Sequence, residues 1–327
     1  MPSAPGEAES RVYERRLTAQ VPDALAGMRL DRVLAELFPD YSRARLQQWM
    51  QEGRVSVDGL HPRPRDKARG GERVDLVAYV EPDTAWQAEE RALDIVYQDA
   101  DLLVINKPAG LVVHPAVGNR AGTLLNALLH HAPELALLPR AGIVHRLDKD
   151  TSGLLVVART LEAHKRLVAD LQARAVEREY EAIVYGVMTA GGRIDAPIGR
   201  HPTQRTRMAV REQGRAAVSH YRVLERFRAH THVQVRLESG RTHQIRVHMA
   251  HIHHPLVGDP AYGGRLRLPP GGGAALAAAL RGFRRQALHA RRLALRHPAS
   301  GEEMSWSAPL PADMTGLLAA LRADMLQ

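Results

Sequence analysis

The sequence predicts an α+β protein made of a small basic domain followed by a larger one. Three observations carry that prediction. Helical and strand-like patterns are interspersed without a regular βαβ rhythm, no tandem repeat is present, and periodicity lapses over residues 81–91 between two patterned regions. At 327 residues and 45% hydrophobic content, the chain has the length for about two packed domains.

Taken in order, residues 1–16 read as a disordered tail, because the chain opens Ser-, Glu-, Pro- and Gly-rich with no period. Residues 17–80 form the first domain. Leu30, Val33, Leu34 and Leu37 mark one apolar helical face that stops before Pro39. A second helix starts at Ser42 as N-cap, buries Leu46, Trp49 and Met50, and ends at Gly53. Val55 and Val57 then alternate into the turn pair Asp58-Gly59, with Val74 and Leu76 on a returning strand. Residues 81–91, with Pro82 and several charges, read as a linker.

Residues 92–327 form the second domain. Leu102 to Ile105 is a buried strand, Pro108-Ala109-Gly110 a turn, and Thr123 the cap of a helix carrying Leu124, Leu125, Leu128 and Leu129. Further strands are predicted over 154–158, 180–184, 221–224 and 233–237, and helices near 161–172, 244–251 and 274–280. The stretch 269–273 reads as a flexible loop by composition.

The longest apolar runs, such as 154–158, fall far short of the ~20 residues that span a bilayer, and the N-terminus is polar. A cytoplasmic protein without a membrane partner is expected. The absence of cysteine excludes disulfides, Cys-ligated zinc, iron–sulfur clusters and thiolate nucleophiles. Of 45 basic residues only Lys67, Lys107, Lys149 and Lys165 are lysine, and the net charge is +9. Arginine suits bidentate recognition of phosphate, so an anionic partner is favoured, nucleic acid first. Arg43 and Arg45 stand near a helix start, Arg54 at the next turn, and Arg63, Arg65, Lys67 and Arg69 in the hairpin connection. Clustered guanidinium groups beside helix-terminal amides make a phosphate-binding surface.

The chemistry concentrates in "HRLDKDTSG", residues 145–153, where polar residues lie between an apolar lead-in and an apolar strand. Arg146 and Lys149 flank Asp148; cations approaching that carboxylate would favour its ionised form, suiting a nucleophile or electrostatic stabiliser over a general acid. Spacing alone leaves Asp148 and Asp150 both open. In "SGRTHQIRVHMAHIHHPLVGDPAYGG", residues 239–264, Thr242 reads as a helix cap, Ile245, Met249 and Ile252 as the buried stripe, and Arg241 as a guanidinium at the N-terminal rim. Five histidines between 243 and 254 invite a metal reading, but no HExxH spacing occurs and Asp259 is the nearby carboxylate, so RNA-facing or hydrogen-bonding histidines fit better. In "REYEAIVYG", residues 178–186, alternation puts Arg178, Tyr180, Ala182 and Val184 on one side, with Tyr180 in a core or under a flipped base.

The segment 28–59, "MRLDRVLAELFPDYSRARLQQWMQEGRVSVDG", resembles the alpha-L RNA-binding motif of a small-subunit ribosomal protein. Those three segments, with "RQALHARRLALRHP" at 285–298, resemble the ordered motifs of the RluA family of RNA pseudouridine synthases, most of all its RluD type, which acts on large-subunit ribosomal RNA. The resemblance implies a pseudouridine synthase fold with a mixed, largely antiparallel central sheet and flanking helices. It implies conversion of uridine to pseudouridine, with the helix 69 stem-loop of 23S ribosomal RNA as substrate, without cofactor or metal, by a monomer. Residue by residue, it makes Asp148 the catalytic aspartate and Arg146 the side chain entering the space left by the flipped uridine. Tyr180 becomes the tyrosine packed on the base, Arg241 the partner of the aspartate, and Leu293 part of the apolar wall. The cofactor expectation agrees with the absence of GxGxxG and GxxxxGK[ST] patterns.

Three rivals are weaker. A uridine C5-methyltransferase needs a cysteine nucleophile, and a metal hydrolase needs a ligand set the histidines do not supply. A non-catalytic ribosome-assembly protein sits poorly with intact Asp148, Tyr180 and Arg241. The same reaction on other ribosomal or transfer RNA uridines is the nearest alternative.

Overall fold

The computed structural model describes residues 13–326 apart from 40, 42, 81–85, 116–118, 120 and 205. The chain divides into two compact units, residues 1–85 and 86–327.

In the first unit β1 (Tyr13–Gln20), α1 (Leu30–Leu37), α2 (Arg43–Gln51), β2 (Val55–Val57) and β3 (Arg73–Val80) follow in order, the strands forming an antiparallel sheet β1-β3-β2. The tail expected over 1–16 is corrected: residues 13–16 pair with β3, and 1–12 lie outside the described residues. Glu14, Arg15 and Arg16 are exposed on this edge strand, so polar composition hid it. Leu30, Val33 and Leu34 of α1 are buried against Leu46, Trp49, Met50, Val55 and Leu76, as the apolar spacing requires. The Ser42 cap lies outside the described residues. Asp58 and Gly59 both take positive φ, 48° and 78°, and Val57 and Leu60 exchange backbone hydrogen bonds of 2.8 and 3.0 Å across them. That is the left-handed two-residue turn for which Asp-Gly is suited.

The second unit runs β4 (Ile95–Gln98), β5 (Leu102–Lys107), α3 (Leu124–His131), β6 (Ser152–Ala158), α4 (Leu161–Gln172), β7 (Glu177–Tyr185) and β8 (Gly192–Asp195). It continues with β9 (Ile198–Arg200), β10 (Met208–Val210), β11 (Val218–Arg226), β12 (His230–Leu237) and α5 (Gln244–His251). It closes with α6 (Ala274–Gly282), β13 (Leu288–Arg296), β14 (Glu303–Ser307) and α7 (Ala312–Asp324). Nine strands form one mixed sheet in the order β4-β5-β6-β13-β7-β12-β11-β8, with β14 on β13. The β6–β13 pair is parallel and the other pairs are antiparallel. The α+β reading and its largely antiparallel sheet hold; β9 and β10 form a separate two-stranded arm.

β6 is buried along its whole length because both faces are covered. Leu155 and Val157 join a core with α3 and α5, while Leu154 and Val156 join another with α4. β7 divides likewise, Tyr180, Ala182 and Val184 facing the first core and Ile183 and Tyr185 a third built on α6 and α7. Residues 86–91 are not a linker. Trp86 packs on the main core, Gln87 O accepts from Asn126 Nδ2 at 2.7 Å, and Glu89 accepts from Gly122 N at 2.9 Å. Residues 81–85 of the expected linker lie outside the described residues. The Gly-rich stretch 269–273 is tied down as well, Arg228 donating to Gly271 O at 2.9 Å and Gly273 N to Asp324 Oδ1 at 3.1 Å.

Candidate active site

The loop 143–151 enters β6 and is fixed from several sides. Arg140 and Ala141, at φ 53° and 51°, precede Gly142 at φ 76°, where a Cβ would lie 1.9 Å from Ala158 O. Three successive left-handed residues strain the backbone and appear where surrounding structure over-determines them. Lys107 is fully buried, and its Nζ donates to Pro108 O, Leu111 O and Lys149 O at 2.8, 2.9 and 3.0 Å, tying the loop to β5. Burial pushes Lys107 down to about 7, against the raising influence of Asp150 and Asp148. Gln286 Nε2 donates to Thr151 Oγ1 at 3.1 Å and Arg285 Nη1 to Asp150 O at 3.1 Å. His145 Nε2 accepts from Val156 N at 3.1 Å, so the ring is neutral with its proton on Nδ1; burial, then the charge of Arg178, holds it down to about 3.

Asp148 therefore reaches a cavity of about 950 Å³ in a defined place, its side chain 16% exposed. Arg146 is exposed on the same wall, Tyr180 is buried with its ring lining the cavity, and Ile245 and Leu288 add apolar surface. Burial raises Tyr180 above the usual phenol value, so it stays protonated. Asp150 is not among the lining residues.

The cation on Asp148 is neither sequence neighbour nor Arg241. Arg246 Nη1 donates to Asp148 Oδ2 at 3.1 Å, while its Nε and Nη2 hold Asp259 Oδ2 and Oδ1 at 2.7 and 2.9 Å. The expected Arg241–aspartate pair is thus corrected. Arg241 lines the cavity, but its Nε donates to Ala216 O at 3.2 Å; it precedes α5, whereas Arg246 sits inside that helix, turned toward the loop. Asp259 also accepts from Ala261 N and Tyr262 N at 2.8 and 3.0 Å, so a fully engaged carboxylate aims the arginine at a partly free one. Tyr262 Oη accepts from Met208 N at 2.9 Å and lies 2.8 Å from His243 Nδ1, leaving His243 Nε2 3.9 Å from Asp148 Oδ1.

Thr242 is not the cap of α5. His243 takes that position at φ 58°, and Gln244 Oε1 accepts from Arg241 N at 3.0 Å while its Nε2 donates to Val218 O at 3.0 Å. The helix is buried all round, so Gln244, Arg246 and His248 are inside with Ile245 and Met249. The clustered histidines diverge: His248 bonds Ser219 Oγ and Ala196 O at 2.9 Å each, and His254 bonds Tyr185 O at 2.8 Å. Leu293 is corrected too. It is buried with Leu102, Val104 and Leu154 and does not line the cavity; β13 carries a bulge between Ala290 and Arg292, so simple alternation from Leu288 does not fix where Leu293 packs.

In the first unit the basic residues separate into engaged and open groups. Arg43 donates to the buried Asp31 through Nη2 at 2.5 Å, Arg54 pairs with Glu52 at 2.9 Å, and the Arg45 guanidinium lies 5.9 Å from the centre of the Trp49 ring. Arg63, Arg65, Lys67 and Arg69 are exposed along the β2–β3 connection. Sequence reasoning gave no role to Arg246, Tyr262 and Leu288, and weighed Asp259 only as a metal ligand and His243 only as one of the clustered histidines; half the residues of α5 are polar, so nothing local singled out Arg246.

Comparison with known proteins places this geometry. Residues 101–251 match the RNA pseudouridylate synthase family and residues 28–74 the S4 domain. Ribosomal large subunit pseudouridine synthase D of Pseudomonas aeruginosa is 62% identical over 306 residues, covering 94% of this chain and 96% of that protein. The protein of the same name from Escherichia coli K12 is 57% identical over 310 residues, covering 94% and 95%. Among solved structures, human RNA pseudouridylate synthase domain containing 4 aligns with TM-score 0.55 and 30% identity over 70% of this chain and 92% of that one. Human RNA pseudouridylate synthase domain containing 1 aligns with TM-score 0.51 and 27% identity, covering 71% and 95%. The chain belongs to the RNA pseudouridylate synthase family, an enzyme that isomerises uridine to pseudouridine in RNA and carries an S4 domain in its first unit.

Proposed function

We propose that this enzyme modifies large-subunit ribosomal RNA at the uridines of the helix 69 stem-loop of 23S RNA, in the cytoplasm, with Asp148 as the catalytic group and no cofactor. The observation that carries the Asp148 reading is its place: a carboxylate at a cavity wall with one oxygen held by Arg246 and the other 3.9 Å from His243. The substrate reading draws on the printed names of the two bacterial relatives.

The reaction breaks the N1–C1′ bond, turns the held uracil and joins C5 to C1′; the C5 proton leaves and N1 regains one. Asp148 serves either as nucleophile at the ribose or as base toward its 2′ proton. Arg246 holds and orients the carboxylate, Tyr180 supplies an aromatic face for the uracil, and exposed Arg146 fills the gap left in the RNA stack. Unstacking costs a few kcal/mol, offset by phosphate contacts to which Arg63, Arg65, Lys67 and Arg69 contribute.

Carbodiimide labelling with primer extension tests the reading on total RNA from cells lacking the enzyme, carrying wild type, or carrying Asp148→Asn. Helix 69 stops that return with wild type alone support it. Pseudouridine lost elsewhere moves the substrate, and no loss anywhere favours an assembly role.

A further inference from the structure

Arg178 is the charged group the reaction leaves unexplained. It lies on β7 two residues before Tyr180, lines the same cavity as Asp148 and is 8% exposed. Its Nε is buried with no acceptor, and among the described residues no carboxylate pairs with it. The acids on that wall are already engaged, Asp148 with Arg246 and Glu238 with Arg174 and His220. A buried guanidinium without a counter-charge is costly unless a ligand supplies one. Gly240 makes the room: a Cβ there would lie 2.8 Å from Arg178 Nη1, and nothing else of the protein comes nearer that point. Arg174, Arg215 and Arg241 line the cavity beside it, so the potential selects an anion.

We propose that Arg178, seated against Gly240, binds one backbone phosphate of the RNA beside the flipped uridine, acting as a positioning residue that fixes the ribose over Asp148. An arginine fork matches a phosphodiester in geometry and charge, whereas a uracil carbonyl would leave the buried charge uncompensated. The inference rests on the reading that Asp148 marks the reacting nucleotide.

The test takes its RNA from the enzyme. The segment around whichever uridine wild type modifies in total RNA is synthesised with single methylphosphonates, each erasing one phosphate charge. One substitution within about two nucleotides of the target should lower wild-type kcat/KM about 10- to 100-fold, the scale of a charged hydrogen bond. Arg178→Gln should lose a similar factor on unmodified RNA and become insensitive to that same substitution. Gly240→Ala, which displaces the guanidinium and keeps its charge, should show the same loss of sensitivity if Arg178→Gln does not fold. Undiminished sensitivity of either variant at every position overturns the proposal. Asp148→Asn assayed alongside reports on the cavity reading separately, since retained turnover would break that reading and leave the phosphate result standing.

Discussion

Asp31 in the first unit and Asp148 in the second are both held by arginine, but different amounts of carboxylate are left over. Asp31 is wholly buried, and Arg29, Arg43 and Gln47 occupy its oxygens at 3.1, 2.5 and 2.5 Å. Burial alone would raise it, yet the bonds from Arg43, Arg29 and Gln47 bring it down to about 2. Asp148 takes a single arginine bond and keeps an oxygen toward the cavity. A saturated carboxylate locks α1 to α2; an unsaturated one is available for chemistry. Asp259 is the intermediate case, saturated itself and spending its bonds on aiming Arg246.

Removing the unsaturated carboxylate should give the largest effect. Asp148→Asn should lower pseudouridine formation by at least about 10³-fold, on the scale of losing a nucleophile or its electrostatic equivalent, with unchanged thermal unfolding and RNA affinity. Single-turnover assays and filter binding separate the two. Residual activity near wild type would place the chemistry elsewhere.

Asp259→Asn sharpens the comparison, because it leaves Asp148 untouched while loosening Arg246. A loss of about 10²-fold in kcat with little change in KM is expected, since misplacing a catalytic group by about 1 Å has that effect. A rise in KM alone would assign Asp259 to RNA binding instead.

Asp31→Asn should act on stability and leave kcat alone. It should cost about 1–3 kcal/mol in local opening of the first unit, read as faster amide exchange over Leu30–Leu37 in the full chain. The acid dependence has the same origin. With a folded value of about 2 against 3.8 for the free side chain, the stabilisation is complete above pH 4 and is lost as pH falls through 2. Exchange over α1 that is insensitive to that window would show the network contributes nothing.

Local structure was legible where one segment decides it. The patterns at 161–172 and 244–251 matched α4 and α5, and the Thr123 cap is real, its hydroxyl accepting from Asn126 N at 3.4 Å. What the sequence did not reveal depends on partners far along the chain. Arg246 and Asp148 are 98 residues apart, and β13 slots between β6 and β7 only because Gly153, at φ 110°, lets Ala290 approach to where a Cβ would sit 2.3 Å from its carbonyl oxygen. Arg241 was the arginine at the expected rim, but an αL residue at His243 turns the chain before the helix begins. Leu293 is on β13 but packs with Leu102, Val104 and Leu154 instead of lining the cavity.

The smallest expected effect discriminates between neighbours. Asp150 lies two residues from Asp148 in the same loop, yet its structural tie is through its backbone oxygen, which accepts from Arg285. Its carboxylate acts at a distance, favouring the charged form of buried Lys107. Asp150→Asn should therefore change turnover less than about twofold, within the range of surface substitutions. Losing that carboxylate drops Lys107 further below its unfolded value, so the variant should be slightly less stable below neutral pH, where the folded lysine must be charged, and converge on wild type as pH rises through about 7, where it is neutral in both. Denaturant unfolding at pH 6 and 9 reads that difference. If Asp150→Asn instead abolished turnover while Asp148→Asn retained it, the roles of the two carboxylates would be exchanged, and saturation would not be what separates a structural aspartate from a reactive one.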